Sequence, residues 1–219
     1  AASAFRDALA GALGPGVTAV EGMARGVAGG GVELASVTSA AVSDQIDYTL
    51  RESDNYAAEA LARLAALASG HPASTDGARA VLEDSAKRIL GSTSGLQLDD
   101  ASGLAITDRI SPANLAMIVR ALTTGDDARL RRALDGLPVA GLTGTLASRY
   151  GPGSPGAGFV RAKTGTLNTV VGLSGYVIDA DGRLLVFSFV GNNLAPAARA
   201  AAAGQVDAAA SVLAACGCR

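Results

Sequence analysis

Histidine and cysteine are almost missing from this sequence of 219 residues, which has one of the first and two of the second. A metal centre needs several His, Cys or carboxylate ligands at close spacing, and no such cluster occurs, so no metal is expected. A Ser-His-Asp triad would have to use His71, which stands beside Pro72 in a Gly/Pro/Ser-rich loop and reads as a surface residue. Gly172-Leu173-Ser174-Gly175 has Tyr176 where a nucleophile elbow needs its closing glycine. Gly29 to Gly31 lacks the helix start and the Lys-Ser/Thr of a phosphate-binding loop. Long apolar runs are missing too. The most apolar stretch, Leu194 to Ala215, is broken by Arg199, Gln205 and Asp207, and reads as an amphipathic packing helix, not a transmembrane segment. Net charge is -2 with both signs scattered, and no basic patch carries interleaved aromatics, so nucleic acid is not an expected partner. Ala1 to Leu13 lacks the basic start and apolar block of a signal peptide, as a processed exported protein also would. Cys216 and Cys218 stand at the extreme C-terminus. They read as an exposed tail without fold information, as a strained bond to each other, or as partners for cysteines elsewhere.

What is present is enough apolar residue, 49%, to bury the core of one domain or one domain with appendages. Ser3 is placed to cap a short helix with Phe5, Leu9 and Leu13 on one face, ending near Gly14-Pro15-Gly16. Val17 to Met23 and Val32 to Val37 read as short strands. Ser43-Asp44 opens a helix with Ile46 and Leu50 inward, and Ser53 interrupts it. Asp54 and Asn55 open a longer helix in which Leu61, Leu64, Ala65 and Ala68 form the inward stripe. Ser74-Thr75-Asp76 caps a further helix that ends at Gly91. Ser111-Pro112 starts another, carrying Leu115, Ile118, Val119 and Leu122, and a short helix follows around Leu130 to Leu134. Phe159 to Lys163, Val170 to Ile178 and Leu184 to Val190 read as three antiparallel strands, the last two joined by the turn Asp179-Ala180-Asp181-Gly182. A final helix from Pro196 packs on the sheet. The order predicts an α+β fold, a helical lobe beside an antiparallel sheet.

Lys163-Thr164-Gly165-Thr166 ends one strand and precedes the next. A lysine there, with small hydroxyls and a glycine that lets a ligand approach the main chain, makes an anion site at an exposed backbone edge. Lys163, Thr164 and Thr166 can hold a carboxylate, and the N–H of Thr166 can face a developing oxyanion. Ser53-Asp54-Asn55 is less specific, since a helix cap needs the same residue types. The combination carries the weight: Ser-x-Asn first, Lys-Thr-Gly about a hundred residues later, helices between.

With these motifs the chain resembles the class C low-molecular-mass penicillin-binding proteins, D-alanyl-D-alanine carboxypeptidases of the penicillin-binding protein 4 type. The resemblance extends to Glu52-Ser53-Asp54-Asn55-Tyr56-Ala57-Ala58-Glu59 and to Asp100-Ala101-Ser102-Gly103-Leu104 with Ser111-Pro112 behind it. It continues through Leu137-Pro138-Val139-Ala140-Gly141 with Gly144-Thr145-Leu146 and Arg149, and through Val190-Gly191-Asn192-Asn193. Ala101 and Ala105 depart from the usual glycine and serine. The larger departure is that no serine has a lysine three positions later, so the Ser-x-x-Lys signature is absent from these residues.

The resemblance implies the penicillin-recognising fold, with residues 1–219 as the C-terminal portion of the peptidase domain. It implies a nucleophilic serine and its lysine on a separate N-terminal segment, tightly packed as a partner chain or cut away. Ser53 would relay protons, Asn55 would bond the substrate amide and fix the missing lysine, and Lys163 would supply positive potential and pair with Ser53. Thr164, Gly165 and Thr166 would bind the substrate carboxylate and oxyanion. The implied ligands are peptidoglycan stem peptides and β-lactams, the implied compartment is extracytoplasmic, and no cofactor is implied. Two other functions fit the same scaffold: a non-catalytic binding module, and a β-lactamase or esterase.

Overall fold

The computed structural model describes residues 2–16 and 36–217. The chain divides into two compact units, residues 1–39 and residues 40–219. In the first, helix α1 (Ala2–Leu13) starts one residue before Ser3, so Ser3 lies within the helix and not ahead of it. The two short strands expected near the N-terminus fall on residues 17–35, outside the described residues, apart from Ser36 and Val37, which are in neither helix nor strand.

The second unit opens with α2 (Val42–Glu52), α3 (Asn55–Ala68) and α4 (Thr75–Leu90). Ala41, not Ser43, precedes α2; the Ser43 hydroxyl bonds the neighbouring Asp44 carboxylate instead. Ser74 caps α4 by accepting from the N–H of Gly77 at 3.1 Å. α3 and α4 pack together, and the residues that α3 buries are Ala62 and Ala66. The expected stripe of Leu61, Leu64, Ala65 and Ala68 is therefore displaced. Small side chains face α4 so that the backbones come close. Leu64 and Leu67, each 56% exposed, turn outward with Tyr56 at 85%. These three recur at helical spacing and define one apolar face of α3.

Ser111 caps α5 (Pro112–Thr124) through the N–H of Asn114, with Pro112 in the first turn where its missing N–H costs nothing. The short α6 (Ala128–Arg131) follows. The sheet has the order β1-β2-β3, all antiparallel: β1 (Arg161–Leu167), β2 (Val170–Ile178) and β3 (Leu184–Gly191). β2 and β3 begin where the sequence places them. β1 begins two residues later than expected and runs four residues further. The N–H groups of Phe159 and Val160 are taken by the carbonyl of Gly156 in a turn, whereas Gly165 pairs in register with Gly172 and Leu167 with Val170. Lys163-Thr164-Gly165-Thr166 thus lies within a strand, not at its end.

β2 alternates strictly, burying Val171, Leu173 and Val177 on one face. α7 (Arg199–Ala215) packs on β2, and its Ala210 joins Leu146, Val160, Leu173 and Phe187 in the main core. Truncating a fully buried Leu such as Leu173 costs about 2–5 kcal/mol. Arg149 ties the loop before β1 to α7 through a bidentate pair with Asp207 at 2.6 and 2.8 Å. Cys216 is disulfide-bonded. No helix among the described residues is long and apolar enough to cross a membrane.

Candidate active site

Ser53 sits at the C-cap of α2 with φ 57° and ψ 46°, a left-handed conformation that a non-glycine residue adopts at a cost of about 1–2 kcal/mol. The ends of α2 and α3 hold it there. The N–H groups of Ser53 and Asp54 close onto the carbonyl of Thr49, and the Asp54 side chain caps α3 by accepting from the N–H of Ala57 at 2.9 Å. The chain turns sharply between the two helices and presents Ser53 to β1.

Across 110 residues of sequence, the Lys163 ammonium donates to the Ser53 hydroxyl at 2.7 Å. It also donates to the carbonyl of Thr164 at 2.9 Å. Lysine has three N–H donors, so one remains for a ligand. Strand pairing sets Lys163 opposite Ser174 and Ser174 opposite Ser188, whose hydroxyls are 2.8 Å apart, so a polar row crosses that face of the sheet. No carboxylate pairs with Lys163 among the described residues. Burial without a counter-charge lowers its pKa below the ordinary 10.5.

Among the described residues β1 is an edge strand, and its outer edge is paired only at the start, where the N–H of Ala162 donates to the carbonyl of Pro138 at 3.0 Å. Backbone groups alternate along a strand, so the N–H groups of Thr164 and Thr166 point to that same outer edge. Gly165 and Thr166 are exposed. Thr164 is half-buried, and its hydroxyl lies 2.9 Å from that of Thr145. Asn55, the first residue of α3, is exposed, and its side chain makes no hydrogen bond among the described residues.

The loop after α4 is wired to α3. The Glu59 carboxylate, one turn beyond Asn55, accepts from the N–H groups of Ala101 and Ser102 at 2.8 and 3.1 Å. Asp100 accepts from the N–H groups of Gly103, Leu104 and Ala105 and from the Ser102 hydroxyl. Burial pushes the Asp100 carboxyl up, but these donors outweigh it and hold its pKa below the ordinary value. The alanine at 101 is accommodated with its N–H in use.

Ser53 and Lys163 are thus brought together directly, and Gly165 and Thr166 lie along the same strand edge. Two contributors went unassigned in the sequence: Thr145, which sits in a short Gly-Thr-Leu turn without a local signal of its purpose, and Glu59, whose carboxylate looks like an ordinary exposed helix residue. Only a family pattern flags either.

Residues 1–213 match the D-Ala-D-Ala carboxypeptidase 3 (S13) family, and the chain belongs to that family. It is 39% identical to Carboxypeptidase DacB of Mycolicibacterium smegmatis over 214 residues, which is 96% of this chain and 45% of that protein. It is 36% identical to Carboxypeptidase Rv3627c of Mycobacterium tuberculosis, over 86% of this chain and 41% of that one. The chain spans less than half the length of these relatives. Among solved structures, penicillin binding protein 4 from Haemophilus influenzae in complex with a β-lactam superposes with a TM-score of 0.62 at 26% identity, over 68% of this chain and 35% of that chain. A β-lactamase from Sphaerobacter thermophilus shares the fold, with a TM-score of 0.52 at 23% identity over 77% of this chain and 61% of that one. The α+β penicillin-recognising fold and the family resemblance read from the sequence both hold.

Proposed function

We propose that residues 1–219 form one side of the active site of a serine-type D-alanyl-D-alanine carboxypeptidase or endopeptidase acting on peptidoglycan peptides, with the nucleophilic serine and its neighbouring lysine on a part of the protein outside these residues. The observation that carries this is the 2.7 Å bond from Lys163 to Ser53, which joins the two motifs across 110 residues. In the proposed reaction the external serine oxygen adds to the carbonyl carbon of the terminal peptide bond while its proton passes to a base. The oxyanion accepts from the N–H of Thr166. The C–N bond then breaks, Ser53 relays a proton to the departing amine, and D-alanine leaves an acyl-enzyme that water hydrolyses. Lys163 keeps Ser53 oriented and contributes positive potential. Asn55 bonds the substrate amide, and Thr164 and Thr166 receive the terminal carboxylate with Gly165 allowing close approach. β-Lactams acylate the same serine.

The apolar face of Tyr56, Leu64 and Leu67 on α3 supports a tightly packed N-terminal portion, because exposed side chains of this size at helical spacing gain most when covered. The substrate places the protein outside the cytoplasmic membrane. The full-length protein should be labelled by a fluorescent penicillin and should release D-alanine from a D-alanyl-D-alanine peptide, and Lys163→Ala should strongly reduce both. Intact wild-type protein that neither labels nor releases D-alanine sinks the proposal. Labelling with rapid turnover of the β-lactam and no peptide cleavage would instead mark a β-lactamase.

A further inference from the structure

Thr145 lies in the 3-10 turn Gly144–Leu146, outside both motifs, yet its hydroxyl is 2.9 Å from that of Thr164 on β1. Thr145 is half-buried, and Thr164 is the one hydrogen-bond partner of its hydroxyl among the described residues. The turn is seated by its first residue. Gly144 has φ +54°, and a Cβ there would stand 2.3 Å from the carbonyl oxygen of Arg51, two residues ahead of Ser53. The same turn therefore touches the end of α2 that presents Ser53 and the strand that presents Lys163.

We infer that Thr145 is a positioning residue that orders the proton of Thr164 toward the carboxylate of the substrate. A hydroxyl has one proton to give and two lone pairs. With the site empty, either threonine can donate to the other. An ionised carboxylate only accepts, so when it binds at Thr164 that hydroxyl must donate outward and must accept from Thr145. Thr145 then donates inward, and the two bonds polarise in the same direction. A valine at 145 keeps the branched shape and removes the donor, leaving the Thr164 proton without a preferred direction. This inference rests on the carboxylate-terminated substrate proposed above.

The experiment uses full-length protein carrying Thr145→Val or Thr145→Ser, with acylation rates measured for benzylpenicillin and for its methyl ester, which lacks the anion. Loss of one hydrogen bond's net contribution predicts that Thr145→Val slows acylation by benzylpenicillin about three- to tenfold. The ester should be slowed less than about twofold, and Thr145→Ser should match wild type on both. Equal slowing of both compounds by Thr145→Val, no slowing of either, or a Thr145→Ser variant as slow as Thr145→Val overturns the role of Thr145. Wild-type protein that is acylated by neither compound overturns the activity itself, and this inference with it.

Discussion

Gly144 allows the sharpest structural prediction, because one methyl group tests whether the turn at 144–146 is pressed against the end of α2. In Gly144→Ala the new Cβ would meet the Arg51 carbonyl oxygen at 2.3 Å and its Cγ at 2.9 Å, whereas real Cβ atoms stay beyond 3.0 Å. The Arg51 oxygen is backbone, so no rotamer change relieves the contact. The turn and the helix end must separate by on the order of 1 Å, a displacement that can slow a reaction about a hundredfold when it reaches catalytic groups. The stability cost has two parts. Left-handed backbone costs a non-glycine residue about 1–2 kcal/mol, and overpacking adds about 1–3 kcal/mol. Gly182 supplies the control: it has φ +78° in the β2–β3 turn, and a methyl group added there would meet nothing within 4 Å. Gly182→Ala should cost only the backbone part, about 1–2 kcal/mol, and leave acylation by penicillin at the wild-type rate. Urea denaturation and β-lactam acylation of the full-length variants give both quantities. A Gly144→Ala variant that matches Gly182→Ala in stability and in acylation rate refutes the close packing of the turn on α2.

Two further outcomes follow from charged groups. Arg149 and Asp207 are only 20% and 16% exposed, and removing one member of such a pair leaves a buried charge, so Asp207→Ala should cost about 3 kcal/mol in denaturant unfolding. Arg149→Met combined with Asp207→Leu should recover most of that loss; a double variant no better than Asp207→Ala would show that the unpaired charge is not the source of the loss. Lys163 has its pKa lowered by burial, so the folded state sheds this proton at a lower pH than the unfolded chain does at about 10.5. Between the folded-state value and 10.5 the unfolded state binds more protons, and the stability of wild type relative to Lys163→Met should rise with pH. A pH-independent difference in unfolding free energy over that window would contradict the burial of the ammonium.

Much of the fold was legible because local chemistry and tertiary structure agree. Ser74, Ser111 and Pro112 stand where helices begin, and the Asp179-Gly182 turn forms as its residues predict, with the Asp179 carboxylate accepting from the N–H groups of Asp181 and Arg183. The failures lie where partners across space decide. β1 extends through Lys163-Thr164-Gly165-Thr166 because β2 pairs with it, which a threonine and glycine run does not announce. The inward face of α3 is set by the closeness of α4, which selects Ala62 and Ala66 over the larger leucines. Ser43 resembles a cap but lies inside α2, and a serine caps only if its own backbone is extended at that point. In the site, the motifs identified Ser53, Lys163 and the strand edge, whereas their contact across 110 residues was implied by family resemblance alone. The Thr145 to Thr164 bond was not legible at all, since it depends on where a three-residue turn docks.

If these residues supply one side of an acyl-transfer site whose nucleophile lies elsewhere in the protein, the point of covalent attachment of a penicillin will reveal it. Full-length protein would be acylated with a penicillin, digested, and the modified peptide sequenced by mass spectrometry. The expected result is a modified serine outside residues 1–219, followed three positions later by lysine, with labelling greatly reduced in Lys163→Ala. A modified serine within residues 1–219, Ser53 included, would contradict the proposed division of the site.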